Sequence, residues 1–145
     1  MLREKFYKSR KFYDNMIKAR FIIEIAGSPK DHVEAVMKGV MEKIKKESDV
    51  IKYNIYEAKE VEKLWNTFTE VDVSFKNTLD LMAFCFDKMP SSIEMLEPED
   101  KLVMKREDFE DLFNNLMSKL HDSATEMRDL KAANLVISRQ LEKNT

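Results

Sequence analysis

The chain has 145 residues, 43% apolar and 36% charged, with a formal net charge of -2. That length suits one domain that buries its own core without a disulfide or a metal staple. The near-neutral balance excludes a polycation built as a whole for nucleic acid. Cys85 is the only cysteine, so no internal disulfide can form, and this usage suits a reducing compartment. Two glycines, Gly27 and Gly39, are too few for a Walker-type loop or a dinucleotide fingerprint. No apolar run reaches the length of a bilayer span. The basic N-terminus lacks a continuous apolar h-region, so no signal peptide is expected and the location expected is cytoplasmic.

Residues 1–19 read as a basic aromatic arm, with the α+β domain expected over 20–105 and a long helix over 106–145. Within the first 20 residues Arg3, Lys5, Lys8, Arg10, Lys11, Lys18 and Arg20 oppose only Glu4 and Asp14, a local charge of +5. Lys5-Phe6-Tyr7 is echoed by Lys11-Phe12-Tyr13. Cations interleaved with rings can bind single-stranded nucleic acid, which makes these seven cations candidate contacts. The competing reading is an amphipathic helix that buries Leu2, Phe6, Tyr13, Met16 and Ile17 on one face. A third is pairing with the acidic remainder of the chain or of a sister subunit, and a membrane surface or a protein partner is a further option.

Residues 20–26 read as a β-branched strand. Ser28 is a candidate N-cap with Pro29 at the first helical position. Val33, Val36, Met37, Val40 and Ile44 then predict an amphipathic helix over 29–47. From Val50 to Tyr56 the pattern alternates, with Ile51, Tyr53 and Ile55 on one face. Residues 57–63 are charged and read as a connection. Trp65, Thr67, Thr69, Val71, Val73 and Phe75 alternate along a longer strand, with Glu70, Asp72 and Ser74 on its other side. Asn77 is a candidate N-cap for a helix that places Leu79, Met82, Phe86 and Met89 on one face and stops at Pro90. Residues 91–96 read as a strand, and 102–104 as a short edge strand.

The order β-α-β-β-α-β resembles the ferredoxin-like split βαβ fold. That resemblance implies a four-stranded antiparallel sheet with two helices on one face, and it rests on element order alone.

The helix from Arg106 to about Lys143 carries a heptad seam. Phe113, Leu120, Met127, Asn134 and Leu141 fall at position a, and Phe109, Leu116, Ser123, Leu130 and Ile137 at d. One Asn at an a position suits a parallel dimer and fixes its register. Glu126 at g and Lys131 at the following e attract across such a pair. The expected seam is therefore Phe113, Leu116, Leu120, Met127, Leu130, Asn134, Ile137 and Leu141. Ser123 is a poor seam residue, and Leu135 and Val136 lie off the seam as a candidate docking patch. A helix folded back on its own domain is the alternative.

No catalytic motif emerges. His32 and His121 lack the converging ligands that zinc requires, so no metal and no cofactor are expected. Cys85, among Leu81, Phe84 and Phe86, reads as a buried inert thiol. Glu94, Glu97, Glu99 and Asp100 read as a solvated face. The function expected is a non-enzymatic homodimeric interaction or scaffold module. A nucleic-acid-binding dimer and a small-molecule regulatory domain are the alternatives.

Overall fold

The computed structural model describes residues 16–145. The chain divides into two units, one ending at Val103 and one spanning Met104–Thr145. Arg3, Lys5, Lys8, Arg10 and Lys11 of the arm lie outside the described residues, as do Leu2, Phe6 and Tyr13.

The first unit is α+β, with its elements in the order β1 (Ile17–Gly27), α1 (Lys30–Glu47), β2 (Asp49–Ile55), β3 (Lys59–Val61), β4 (Leu64–Phe75), α2 (Thr78–Lys88) and β5 (Ser92–Glu97). All described strand pairs are antiparallel. The sheet order is β2-β4-β1-β5, with β3 also pairing with β4. β1 begins at Ile17, earlier than residue 20, so Ile17 and Lys18 are sheet residues rather than part of an arm helix.

Alternation sorts the two faces. Ile17, Ala19, Phe21 and Ile23 of β1 and Val71, Val73 and Phe75 of β4 form one buried cluster. Met37, Met41 and Ile44 of α1 and Leu81 and Phe84 of α2 complete it. Phe21 is its centre, with its ring 4.6 Å from Phe84 and 6.0 Å from Phe75, and Phe75 is 5.5 Å from Phe84. Such offset and edge contacts stabilise beyond the area they bury.

Several expected positions shift for local reasons. β2 is bulged between Val50 and Lys52, so Val50 rather than Ile51 faces Val73, and Ile51 stays 50% exposed. α2 buries Leu81, Met82 and Phe84, while Leu79 is half exposed. Its face is rotated toward the aromatic cluster, because Phe84 fills the gap beside Phe21 and Phe75. Met89 is not core: it is the left-handed C-cap of α2 and is 78% exposed. Asn77 caps as its residue type predicts, its Oδ1 accepting from the Asp80 backbone N–H at 2.9 Å. α1 begins at Lys30, with Pro29 at the cap and no side-chain cap bond. The charged connection contains the extra strand β3, which turns into β4 through Glu62 and Lys63, both at positive φ. No strand forms at 102–104.

Thr67 and Thr69 are both fully buried in β4, but only one is satisfied. Thr67 Oγ1 donates to the Tyr56 carbonyl at 2.6 Å, whereas Thr69 Oγ1 has no partner. An orphaned buried hydroxyl costs free energy that its isosteric apolar replacement does not. Thr69→Val is therefore expected to raise stability by about 1 kcal/mol, seen in urea unfolding, while Thr67→Val lowers it. Equal losses in both variants would show that the two hydroxyls are not distinguished.

Candidate assembly surface and the charged sheet face

The second unit is dominated by α3 (Arg106–Lys143), 38 residues with none buried. At 1.5 Å per residue the helix is about 57 Å long. Glu107 and Asp108 in its first turn and Lys143 in its last agree with the helix dipole. The expected seam residues are all on this one uninterrupted helix. Phe113, Leu116 and Leu120 are 43%, 39% and 62% exposed, and Leu130 and Leu141 are 65% and 64%. Met127 and Ile137 are exposed to a similar degree, and Asn134 is also exposed. Phe109 and Phe113 touch each other, with ring centroids 4.6 Å apart. Leu135 and Val136 are each half exposed, away from the seam. Large apolar side chains therefore lie exposed at heptad spacing along this helix.

The face of the sheet opposite the core is built on charge. Arg20 Nε and Nη2 donate to Asp72 Oδ1 and Oδ2 at 2.8 and 3.1 Å. Glu70 and Glu94 stand 3.4 and 3.9 Å from the same guanidinium, and Lys52 stands 3.7 Å from Asp72. Register explains the row: Lys52, Asp72, Arg20 and Glu94 lie opposite one another on β2, β4, β1 and β5. The hydrogen bonds and charge of Asp72 push the Arg20 pKa above its already high ordinary value. Asp72 is only 3% exposed, a burial that its alternation pattern did not signal. Lys18 pairs with Glu97 at 3.3 Å. Lys18 and Arg20, two of the seven candidate nucleic-acid contacts, are thus each held by a carboxylate. Glu94 and Glu97 of the acidic cluster supply part of that pairing.

At the end of α1, Lys45 Nζ donates to Tyr53 Oη at 2.9 Å and lies 4.7 Å from the ring centroid. The Tyr53 hydrogen bond raises the Lys45 pKa. Both residues line an open groove of about 520 Å³ together with Ser48, Ile51 and Lys52. Elsewhere on the surface, Lys30 hydrogen-bonds to Glu57 at 2.6 Å, which holds the Glu57 carboxyl below its usual value. His32 and His121 are both exposed. Among the described residues no three His, Cys, Asp or Glu side chains converge as a metal site would require.

Cys85 is partly buried, and desolvation pushes its thiol pKa up. The thiolate is the reactive form. Labelling by an aromatic disulfide reagent at mildly alkaline pH is therefore expected to be slow in the native protein and to accelerate on unfolding in urea. Equal rates in the two states would overturn this reading.

The architecture is that of an antiparallel sheet layered on two helices, followed by a separate long helix bearing an apolar stripe. The chain belongs to the MJ0538 family, whose sequence model matches residues 18–143. No curated protein and no solved structure matches it. Among the described residues no helix is long and apolar enough to cross a membrane.

Proposed function

We propose that the protein is a non-enzymatic, homodimeric interaction module. It is assembled by parallel pairing of α3 and carries a ferredoxin-like sandwich on each copy. The observation that carries this reading is the heptad row of exposed side chains on a helix with no buried residue. Asn134 sets the register, because two asparagines at facing a positions can hydrogen-bond only when aligned. Glu126 of one copy and Lys131 of the other add attraction at the flank. For the sandwich, the element order and the strand sequence β2-β4-β1-β5 support the reading. A reducing, cytoplasmic setting fits the lone thiol Cys85.

Sedimentation equilibrium of the full-length protein tests the assembly. A mass of at least two copies that persists on dilution supports it, and a monomer at every concentration overturns it. The nucleic-acid alternative now rests on Arg3, Lys5, Lys8, Arg10 and Lys11. Deleting residues 1–15 leaves β1 intact and abolishes salt-sensitive binding of single strands if that alternative holds. A small-molecule role would use the groove beside Tyr53, whose fluorescence would report the ligand.

A further inference from the structure

The sheet face opposite the core carries more negative charge than its own cations balance. By alternation, Arg20, Ile22 and Glu24 of β1 and Phe68, Glu70 and Asp72 of β4 point away from the buried cluster. Arg20 is shared by three carboxylates, with Asp72 at 2.8 Å, Glu70 at 3.4 Å and Glu94 at 3.9 Å. Lys52 reaches only Asp72. Glu24 is exposed and has no ion pair among the described residues. Beside these carboxylates lies an apolar floor. The Tyr56 and Phe68 rings stack 4.3 Å apart, and each residue is 39% exposed. Ile22, half-buried, is one diagonal step from Phe68 across the β1–β4 pair. Where the chain enters β1, Ser74 Oγ lies opposite Lys18, buried and without a partner.

We propose that residues 1–15 of the same chain fold back across this face as an amphipathic helix, forming a third layer on the sheet. Charge favours this occupant. The segment carries five cations, Arg3, Lys5, Lys8, Arg10 and Lys11, against Glu4 and Asp14. Its place in the chain favours it too. Asp14 and Asn15 are turn-forming residues, and the segment joins β1 at Ile17, at one end of this face. In a helix Leu2, Phe6 and Tyr13 share one side, flanked by Arg3 and Arg10 on one hand and Lys5 on the other. Length fits as well. From Lys18 to Glu24, which lies opposite Phe68, β1 covers about 20 Å. A helix of about twelve residues covers about 18 Å. Tyr13 then lies near Ser74, and Phe6 and Leu2 reach Ile22 and the Tyr56–Phe68 stack. The flanking cations meet Glu24, Glu70 and Glu94. A nucleic-acid strand is a worse occupant, because its phosphates would face these carboxylates. Docking of the arm does not depend on pairing of α3, so it stands or falls apart from the proposed dimer.

The test is hydrogen exchange of the full-length chain, read by mass spectrometry. In low salt, amides of residues 3–13 are expected to exchange at least about 10-fold slower than a free peptide of the same sequence. Protection should fall at about 1 M salt, where the screening length is about 3 Å. Phe68→Ser, and separately Glu24→Lys with Glu94→Lys, should remove it. Amides of β1 and β4 should stay protected in both variants, which tells loss of the arm from loss of the fold. A wild-type arm that exchanges like the free peptide overturns the proposal. So does protection that survives both variants, or that arises only when a single-stranded oligonucleotide is added. Carbodiimide coupling of isotope-labelled and unlabelled chains, refolded together, identifies which copy supplies the arm. Bonds from Lys5 or Lys8 to Glu24 or Glu70 should join peptides of the same label. Mixed-label bonds would assign the arm to a second copy and overturn docking on its own sheet.

Discussion

Phe21→Ala is expected to destabilise the α+β unit by about 3–5 kcal/mol, the largest loss of any single truncation in its core. Phe21 is fully buried and its ring is shared by Phe75 and Phe84, one from the next strand and one from α2. Removing it leaves a cavity that neither neighbour can fill without leaving its own contacts, since interiors are packed like crystals. Single domains are stable by only about 5–15 kcal/mol, so the variant should unfold at markedly lower urea. Val36→Ala, on the exposed side of α1, serves as the comparison and should change stability by about 0.5 kcal/mol or less. Equal effects at the two positions would show that the aromatic cluster does not hold the unit together.

Leu130→Asp is expected to weaken self-association by on the order of 100-fold or more, about 3 kcal/mol. In a parallel pair Leu130 occupies a d position, so the substitution sets two carboxylates against each other in a seam from which water is excluded. Asn134→Leu is expected to act in the opposite direction. It removes the polar pair, tightens association and loosens stoichiometry. Sedimentation equilibrium reads both, and circular dichroism checks that α3 remains helical. If neither substitution changes mass, Asn134 and Leu130 are surface residues and the seam is not an interface.

Much of this architecture was legible because periodicity reports burial. The stretch from Thr67 to Phe75 alternates strictly in residue type, and its odd positions are all buried in β4, although Asp72 and Ser74 between them are buried as well. The boundaries of α3 were legible too, since nothing between Arg106 and Lys143 breaks a helix. β3 was missed because its turn uses Glu62 and Lys63 at positive φ, where glycine or asparagine normally signals a hairpin. The rotation of α2 was missed because Leu79, Leu81, Met82, Phe84, Phe86 and Met89 offer apolar residues on more than one side. Which side is buried depends on the shape of the sheet beneath.

By itself, the sequence determined the kinds of element, most of their limits and the heptad stripe, because these follow from local spacing of apolar residues. The tertiary structure alone decided that β1 lies between β4 and β5, that Arg20 meets Asp72, and that Phe21 meets Phe84. Those pairs are separated by dozens of residues. Long-range pairing depends on which faces fit once the elements exist, and no local pattern encodes that fit.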